Sequence, residues 1–269
     1  MISKNLYTKE LKRNRKNLAI WSAIVIGFTL MVVSIYPYMA DLGDNLTAMM
    51  DKLPPEMAKA MGLDADTWSS ILGFYSTYYG VYIIVLISIF AGSTATNILS
   101  KEEQHHTSEF LMTRPLSRST IFWTKTASLF TLCIIIYLVQ SVLAIIGISI
   151  FSGDPVDWSI FTRLHLAGFF LMLFFTSLSL LISMFVSPKK NLMGLVVGLT
   201  FGTYLVNALG KSTEKTEWLS YFSPFNYFNL TIGQPDESFR ILSAIALLII
   251  FAIAVFVSHQ KFINKDFIS

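Results

Sequence analysis

Six apolar blocks, each long enough to cross a lipid bilayer as a helix, dominate this sequence. About 18 or more consecutive apolar residues span the hydrocarbon core, so each block predicts one transmembrane helix. Charged residues make up 14% of the chain, against about 25% in a soluble domain. The sequence therefore predicts an all-α membrane protein in which residues 1–269 form one transmembrane domain. The predicted spans lie at about 18–38, 73–99, 126–151, 164–186, 192–209 and 239–257.

The distribution of Lys and Arg predicts the orientation of these spans. Most basic residues fall in residues 1–17, in the loop between spans 2 and 3, in the turn after span 4 and in the C-terminal tail. Basic loops stay on the cytoplasmic side of a membrane. We therefore expect a multi-pass protein of a bacterial cell membrane with both termini in the cytoplasm. The net charge of +3 is too small to indicate a nucleic-acid partner.

The N-terminal segment 1–17 is strongly basic and carries Ile2, Leu6 and Leu11 on a weak apolar stripe. This pattern favours either a short amphipathic helix lying at the lipid headgroups or an ordinary basic anchor. Span 2 opens with a group of tyrosines that fits an aromatic belt at the outer interface, with a tyrosine-lined substrate entrance as the alternative. The group consists of Tyr75, Tyr78, Tyr79 and Tyr82.

The segment Trp218–Asn229, before span 6, is aromatic but too short to cross the bilayer at 1.5 Å per residue. Pro224 interrupts any continuous helix here, and aromatic rings favour the membrane interface. We expect this segment to re-enter the membrane partly from the outside. It is a candidate outer gate.

The segment Lys101–Lys125 separates spans 2 and 3. After Lys101 its acidic residues come first along the chain, and arginines and a lysine follow them. Phe110 and Leu111 can form an apolar face toward the bundle, while Glu102, Glu103 and Glu109 can form a polar face toward cations of a partner protein. The pattern predicts a short cytoplasmic docking helix, with a solvated loop as the alternative. Pro115 would end the helix.

The basic residues that follow Pro115 are predicted to hold this loop at the membrane. Arg118 and Lys125 can bind the anionic inner surface of the membrane. Lys125 lies at the mouth of span 3, where its side chain can extend to the interface.

Two motifs, one in the loop between spans 2 and 3 and one before span 6, resemble motifs of the ABC-2 type permease family. The loop between spans 2 and 3 in that family is similar to the residues Glu102, Thr107, Glu109, Leu111, Pro115, Ser117, Arg118 and Lys125. The chain departs from the family at His106, where a glycine commonly precedes the threonine. A family signature before the last span is similar to Ser223, Pro224, Phe225 and Tyr227.

The resemblance implies the membrane subunit of an ATP-driven exporter. Two copies, or this chain and a related permease, would form the translocation path, and separate nucleotide-binding subunits would carry ATP and Mg²⁺. Those subunits would dock on a coupling helix and its flanks, formed by Glu102, Glu103, Thr107, Glu109, Phe110, Leu111, Pro115, Arg118 and Lys125. The chain itself has no Walker A loop. The nearest resemblance ends in residues 207–212, but Leu205 stands at the position where the motif requires its first glycine. We therefore expect no cofactor in this chain.

Two readings from other classes remain as alternatives. An intramembrane metalloprotease-like enzyme would use Glu102-Glu103 and the Phe161–His165 segment, but Thr107 stands where that family has arginine. The predicted topology also separates these groups by a bilayer of about 30 Å. A non-transporting membrane scaffold or sensor is the second alternative. We assign no catalytic and no metal-binding residue.

Gln140 is one of the few polar residues inside a predicted span. It is a candidate polar group of the pathway. The alternative is hydrogen bonding between helices, which is the usual role of such residues.

Overall fold

The computed structural model describes residues 2–41, 70–104, 116–153, 155–186, 192–228, 230 and 241–265. Within these ranges the chain forms six long helices and no β-strand, and all six are long and apolar enough to cross a membrane. This confirms the predicted all-α membrane fold. The helices are α1 (Lys4–Asp41), α2 (Ile71–Gln104), α3 (Arg118–Phe151), α4 (Trp158–Ser183), α5 (Met193–Ser212) and α6 (Ile241–Ile263).

Several helices begin earlier in the chain than the predicted spans. Hydropathy marks the part of a helix that suits lipid, whereas the helix itself begins at a capping residue. Ser117 caps α3 because its Oγ accepts the backbone N–H of Thr120 at 3.1 Å. Asp157 caps α4 in the same way by accepting from Ser159 at 2.9 Å.

The N-terminal segment differs from the predicted separate helix, because it forms the first turns of α1 without interruption. No proline or glycine occurs between residues 4 and 26, so nothing in the sequence breaks the helix there. These turns contact α3: the Ser3 N–H donates to Thr124 Oγ1 at 3.0 Å, and the Tyr7 hydroxyl lies 2.8 Å from Thr131 Oγ1.

Helix α2 forms the centre of the bundle. Most of its residues are buried, and it packs against α3, α4 and α5. One π-helical turn, Tyr79–Ile83, interrupts its regular winding. By contrast, α1, α3, α5 and α6 expose many large apolar side chains, which suits contact with lipid or with another membrane subunit.

The helices define two ends of the bundle. The first turns of α1, the last turn of α2, the first turns of α3 and the segment after α6 lie together, as their ion pairs show. We call this the basic end. The starts of α2 and α4 lie at the opposite end.

Candidate functional site

Five charged side chains meet at the basic end and connect three helices. Glu10 of α1 is buried and forms ion pairs with Lys101 of α2 and Lys125 of α3, the second at 3.3 Å. Glu102 lies 2.6 Å from the Lys125 Nζ and 3.9 Å from an Arg13 nitrogen. We call these five residues the charged network.

Lys125 is the most deeply buried member of the charged network, with a side chain only 1% exposed. Its ammonium group has three N–H donors and three acceptors around it. The acceptors are Glu10 Oε1 at 3.3 Å, Glu102 Oε2 at 2.6 Å and the Ile98 carbonyl at 2.7 Å. A buried charge is tolerated when it is paired and hydrogen-bonded in this way.

The expectation that Lys125 extends to the membrane interface is therefore wrong. Two carboxylates and a carbonyl lie within reach inside the bundle, so the ammonium group does not need the headgroup region to satisfy its hydrogen bonds.

The two ends of the loop between α2 and α3 are also fixed to α6. Glu103, in the last turn of α2, pairs with Lys265 at 2.9 Å. Arg118, the first residue of α3, donates to the carbonyls of Ile263 at 2.8 Å and Lys265 at 2.9 Å. Both helices that flank the loop are thus held to the segment that ends α6.

The structure places four of the predicted coupling residues in these contacts. Glu102 and Glu103 form ion pairs with lysines of α3 and of the segment after α6 in the same chain; their contact with a partner stays a prediction. Arg118 donates to the end of α6 and is exposed; its contact with the membrane surface stays a prediction. The other predicted residues of the coupling helix lie outside the described residues: Thr107, Glu109, Phe110, Leu111 and Pro115.

The charged network includes a residue that the sequence analysis missed. Glu10 is the lone acid among six basic residues in the first 17, and the sequence pattern gives it no role. A single carboxylate in a strongly basic segment was the available signal, since it has the charge to pair with buried lysines elsewhere.

A second polar group lies near the opposite end, where α2, α3 and α4 meet. His165 of α4 is buried; its Nε2 lies 3.1 Å from the Tyr75 hydroxyl and its Nδ1 2.9 Å from Ser141 Oγ. The Tyr79 and Tyr137 hydroxyls lie 2.7 Å apart, and Tyr137 also donates to the His165 carbonyl. We call this group the tyrosine–histidine cluster. Its members are Tyr75, Tyr79, Tyr137, Gln140, Ser141 and His165.

The predicted aromatic belt is wrong for two of its four tyrosines. Tyr75 and Tyr79 are fully buried, whereas Tyr82 is exposed. Tyr75 and Tyr79 are four residues apart and share one helix face, and their hydroxyls find partners on α3 and α4. A buried tyrosine needs such a partner.

Gln140, the predicted pathway residue, belongs to the tyrosine–histidine cluster. Its Nε2 donates to the Tyr75 hydroxyl at 2.8 Å, and its side chain is fully buried. Its Oε1 has no hydrogen-bond partner within the described part of the chain. In this structure Gln140 connects helices, which was its predicted alternative role.

The aromatic segment 218–229 folds back against the middle of the long helices as far as it is described. Ser223 donates to the Thr203 carbonyl at 2.8 Å, about halfway along α5. Phe225 is buried and packs against Phe175 of α4 with ring centroids 5.6 Å apart. Pro224 is also buried, while Tyr227 is exposed. This arrangement suits a re-entrant segment; its depth in a bilayer stays a prediction.

The comparison with known protein families decides what kind of membrane protein this is. The family model described as ABC-2 family transporter protein matches residues 4–262. The chain belongs to the ABC-2 transporter family. It is therefore a membrane permease of an ABC transporter, and the family associates in general with ABC ATPase subunits. A comparison with curated proteins finds no match.

Two features of this ABC-2 permease bear on the protease alternative. Glu102 and Tyr75, the partner of His165, lie near opposite ends of α2, about 40 Å apart at 1.5 Å per residue. Among the described residues no three His, Cys, Asp or Glu side chains come close enough to hold a metal ion. The groups that such an enzyme needs are not brought together here.

Proposed function

We propose that this ABC-2 permease is the membrane subunit of an exporter whose energy comes from separate ATPase subunits. Those subunits would hold ATP and Mg²⁺ and dock from the cytoplasm on the loop between α2 and α3. Two copies of the chain, or this chain and a related permease, would form the translocation path. Both termini would then lie in the cytoplasm.

The charged network is the observation that carries this proposal. Three of its residues lie on the helices that flank the loop, Lys101 and Glu102 on α2 and Lys125 on α3. Ion pairs with Glu10 and Arg13 connect them with α1. Glu103 and Arg118 add connections to the end of α6. A force applied to the loop would therefore reach four helices through paired charges instead of being absorbed by a flexible linker.

The central position of α2 supports a path formed between two subunits. Buried side chains surround α2 on its contacts with α3, α4 and α5, so the centre of a single chain is filled. A transported molecule needs space that a filled bundle does not provide. Exposed apolar faces on α1 and α5 offer surface on which a second permease could pack.

The experiment compares two single substitutions with different expected failures. Glu109→Ala removes a carboxylate that is predicted to meet the ATPase subunit, so we expect weaker copurification of that subunit. Glu102→Ala removes a carboxylate that pairs within the chain, so we expect retained ATPase binding but less substrate efflux per ATP hydrolysed. Glu217→Ala, at an exposed position outside the charged network, is the matched control.

Each variant should first reach wild-type levels in the membrane. Wild-type efflux and wild-type ATPase association in the Glu102→Ala/Glu109→Ala double variant would contradict the proposed coupling role of this loop.

A further inference from the structure

The tyrosine–histidine cluster contains an ionisable group that the transport proposal does not use. Ionisable side chains inside a membrane-spanning bundle are rare, and they mark functional positions by default. His165 lies two turns into α4, and its ring is stacked on Phe161 with centroids 4.0 Å apart. It is therefore inside the packed contact of three helices.

The hydrogen bonds around His165 fit a neutral ring. Ser141 can donate its single hydroxyl proton to the Tyr137 carbonyl at 2.9 Å and accept from Nδ1 of His165. Tyr75 accepts from Gln140 and can donate its own proton to Nε2. With these partners a neutral imidazole has one donating and one accepting nitrogen.

Among the residues that the structure describes, no charged group faces this ring to compensate a second proton. The groups that face it are Tyr75 and Tyr79 from α2 and Tyr137, Gln140 and Ser141 from α3. Within the described residues no carboxylate contacts His165. Arg163, the nearest charge along α4, is turned to Ser159.

Where Tyr75 donates to Nε2, a second proton on that nitrogen would also face the Tyr75 hydroxyl proton. The closed arrangement of α2, α3 and α4 therefore disfavours the charged ring, both by burial and by hydrogen-bond direction.

We propose that His165 is a proton-binding site whose occupation opens the contact of α2, α3 and α4 at the tyrosine–histidine cluster. The proton binds the open form, in which water reaches the ring, and it is excluded from the closed form. Acid pH thus shifts the permease toward the open form. The ligand of this site is a hydrogen ion, and no other ligand is required.

The cluster is connected to the aromatic segment. Tyr79 opens the π-helical turn Tyr79–Ile83, a local winding that often occurs at functional sites. Its neighbour Gly80 contacts Leu230 so closely that an added Cβ would lie 2.9 Å from the Leu230 Cβ. Opening of the cluster would therefore disturb the residue that follows the candidate outer gate.

The size of the expected shift follows from the ordinary pKa of histidine. With a pKa of about 6.5 in the open form and no proton bound in the closed form, the open-to-closed ratio rises about tenfold between pH 7.5 and 5.5. The sign is fixed, because the form that binds more protons gains population as pH falls.

Thiol labelling of the isolated full-length chain in lipid nanodiscs tests this proposal, since it detects rare opening. Cys133 is buried and lies beside Thr176 of α4. Ala144→Cys adds a second reporter on the same buried face of α3. The labelling rate is divided at each pH by the rate of the unfolded chain, which removes the pH dependence of the thiol itself.

We expect this relative rate to rise about tenfold from pH 7.5 to 5.5. His165→Gln should abolish the rise, and the control His259→Gln, near the basic end, should keep it. A rate that does not change with pH in the unsubstituted chain, or an equal rise in His165→Gln, would overturn the proposal. The measurement needs no ATPase, so its result is independent of the transport proposal.

Discussion

Replacement of Glu10 by Gln tests the charged network most severely. The Glu10 side chain is 3% exposed and contacts two lysines. Lys125 would keep Glu102 and the Ile98 carbonyl, but Lys101, 10% exposed, would lose its ion pair. Removal of one partner of a buried pair destabilises a protein by about 3–5 kcal/mol. We expect a decrease at the lower end of this range, because Lys101 lies near the end of the bundle.

The assay is the free energy of unfolding in mixed micelles, measured by titration with a denaturing detergent. The double variant Glu10→Gln/Lys101→Met removes both charges, so it should recover part of the loss, with a coupling energy of about 1–3 kcal/mol. Glu217→Gln, exposed and outside the network, is the control. If Glu10→Gln destabilises the chain no more than this control, the buried network does not contribute as described.

Three further predictions follow from the packing and the proposed orientation. Gly168→Ala should destabilise the bundle by about 1–3 kcal/mol, because the added Cβ would lie 2.2 Å from the Tyr79 hydroxyl. The control Gly198→Ala adds a Cβ that meets nothing within 4 Å, so it should be neutral in the same titration. Ser223→Ala removes the bond to the Thr203 carbonyl, so a spin label at exposed Phe222 should become more mobile; unchanged mobility would argue against this contact. An impermeant thiol reagent added outside the cell should label Lys215→Cys but not Lys12→Cys, and the reverse pattern would invert the topology.

The sequence alone predicted the six spans because each apolar block exceeds the length that a bilayer requires. It did not predict where the helices begin, since Ser117 and Asp157 extend α3 and α4 beyond the apolar blocks by capping them. The N-terminal segment joined α1 for a related reason: hydropathy changes near residue 18, but no residue there breaks a helix.

The candidate sites were harder to predict than the fold, because their residues are distant in sequence. Glu10 and Lys101 pair across 91 positions, and Tyr75 reaches His165 across 90. The motif analysis found Glu102, Glu103 and Lys125, but it assigned them to a partner or to the membrane surface. Local pattern shows that a charge is present, whereas only the packing of α1, α2 and α3 shows which charge it meets.

The central claim is that the loop between α2 and α3 contacts an ATPase subunit, and site-specific photo-crosslinking tests it most directly. A photoreactive amino acid at Phe110 of the full-length chain, irradiated in its native membrane, should capture a protein that binds ATP and carries a Walker A motif. The same group at Trp218, exposed at the opposite end, should not capture that protein. Capture of the ATP-binding protein from Trp218 but not from Phe110 would contradict the account.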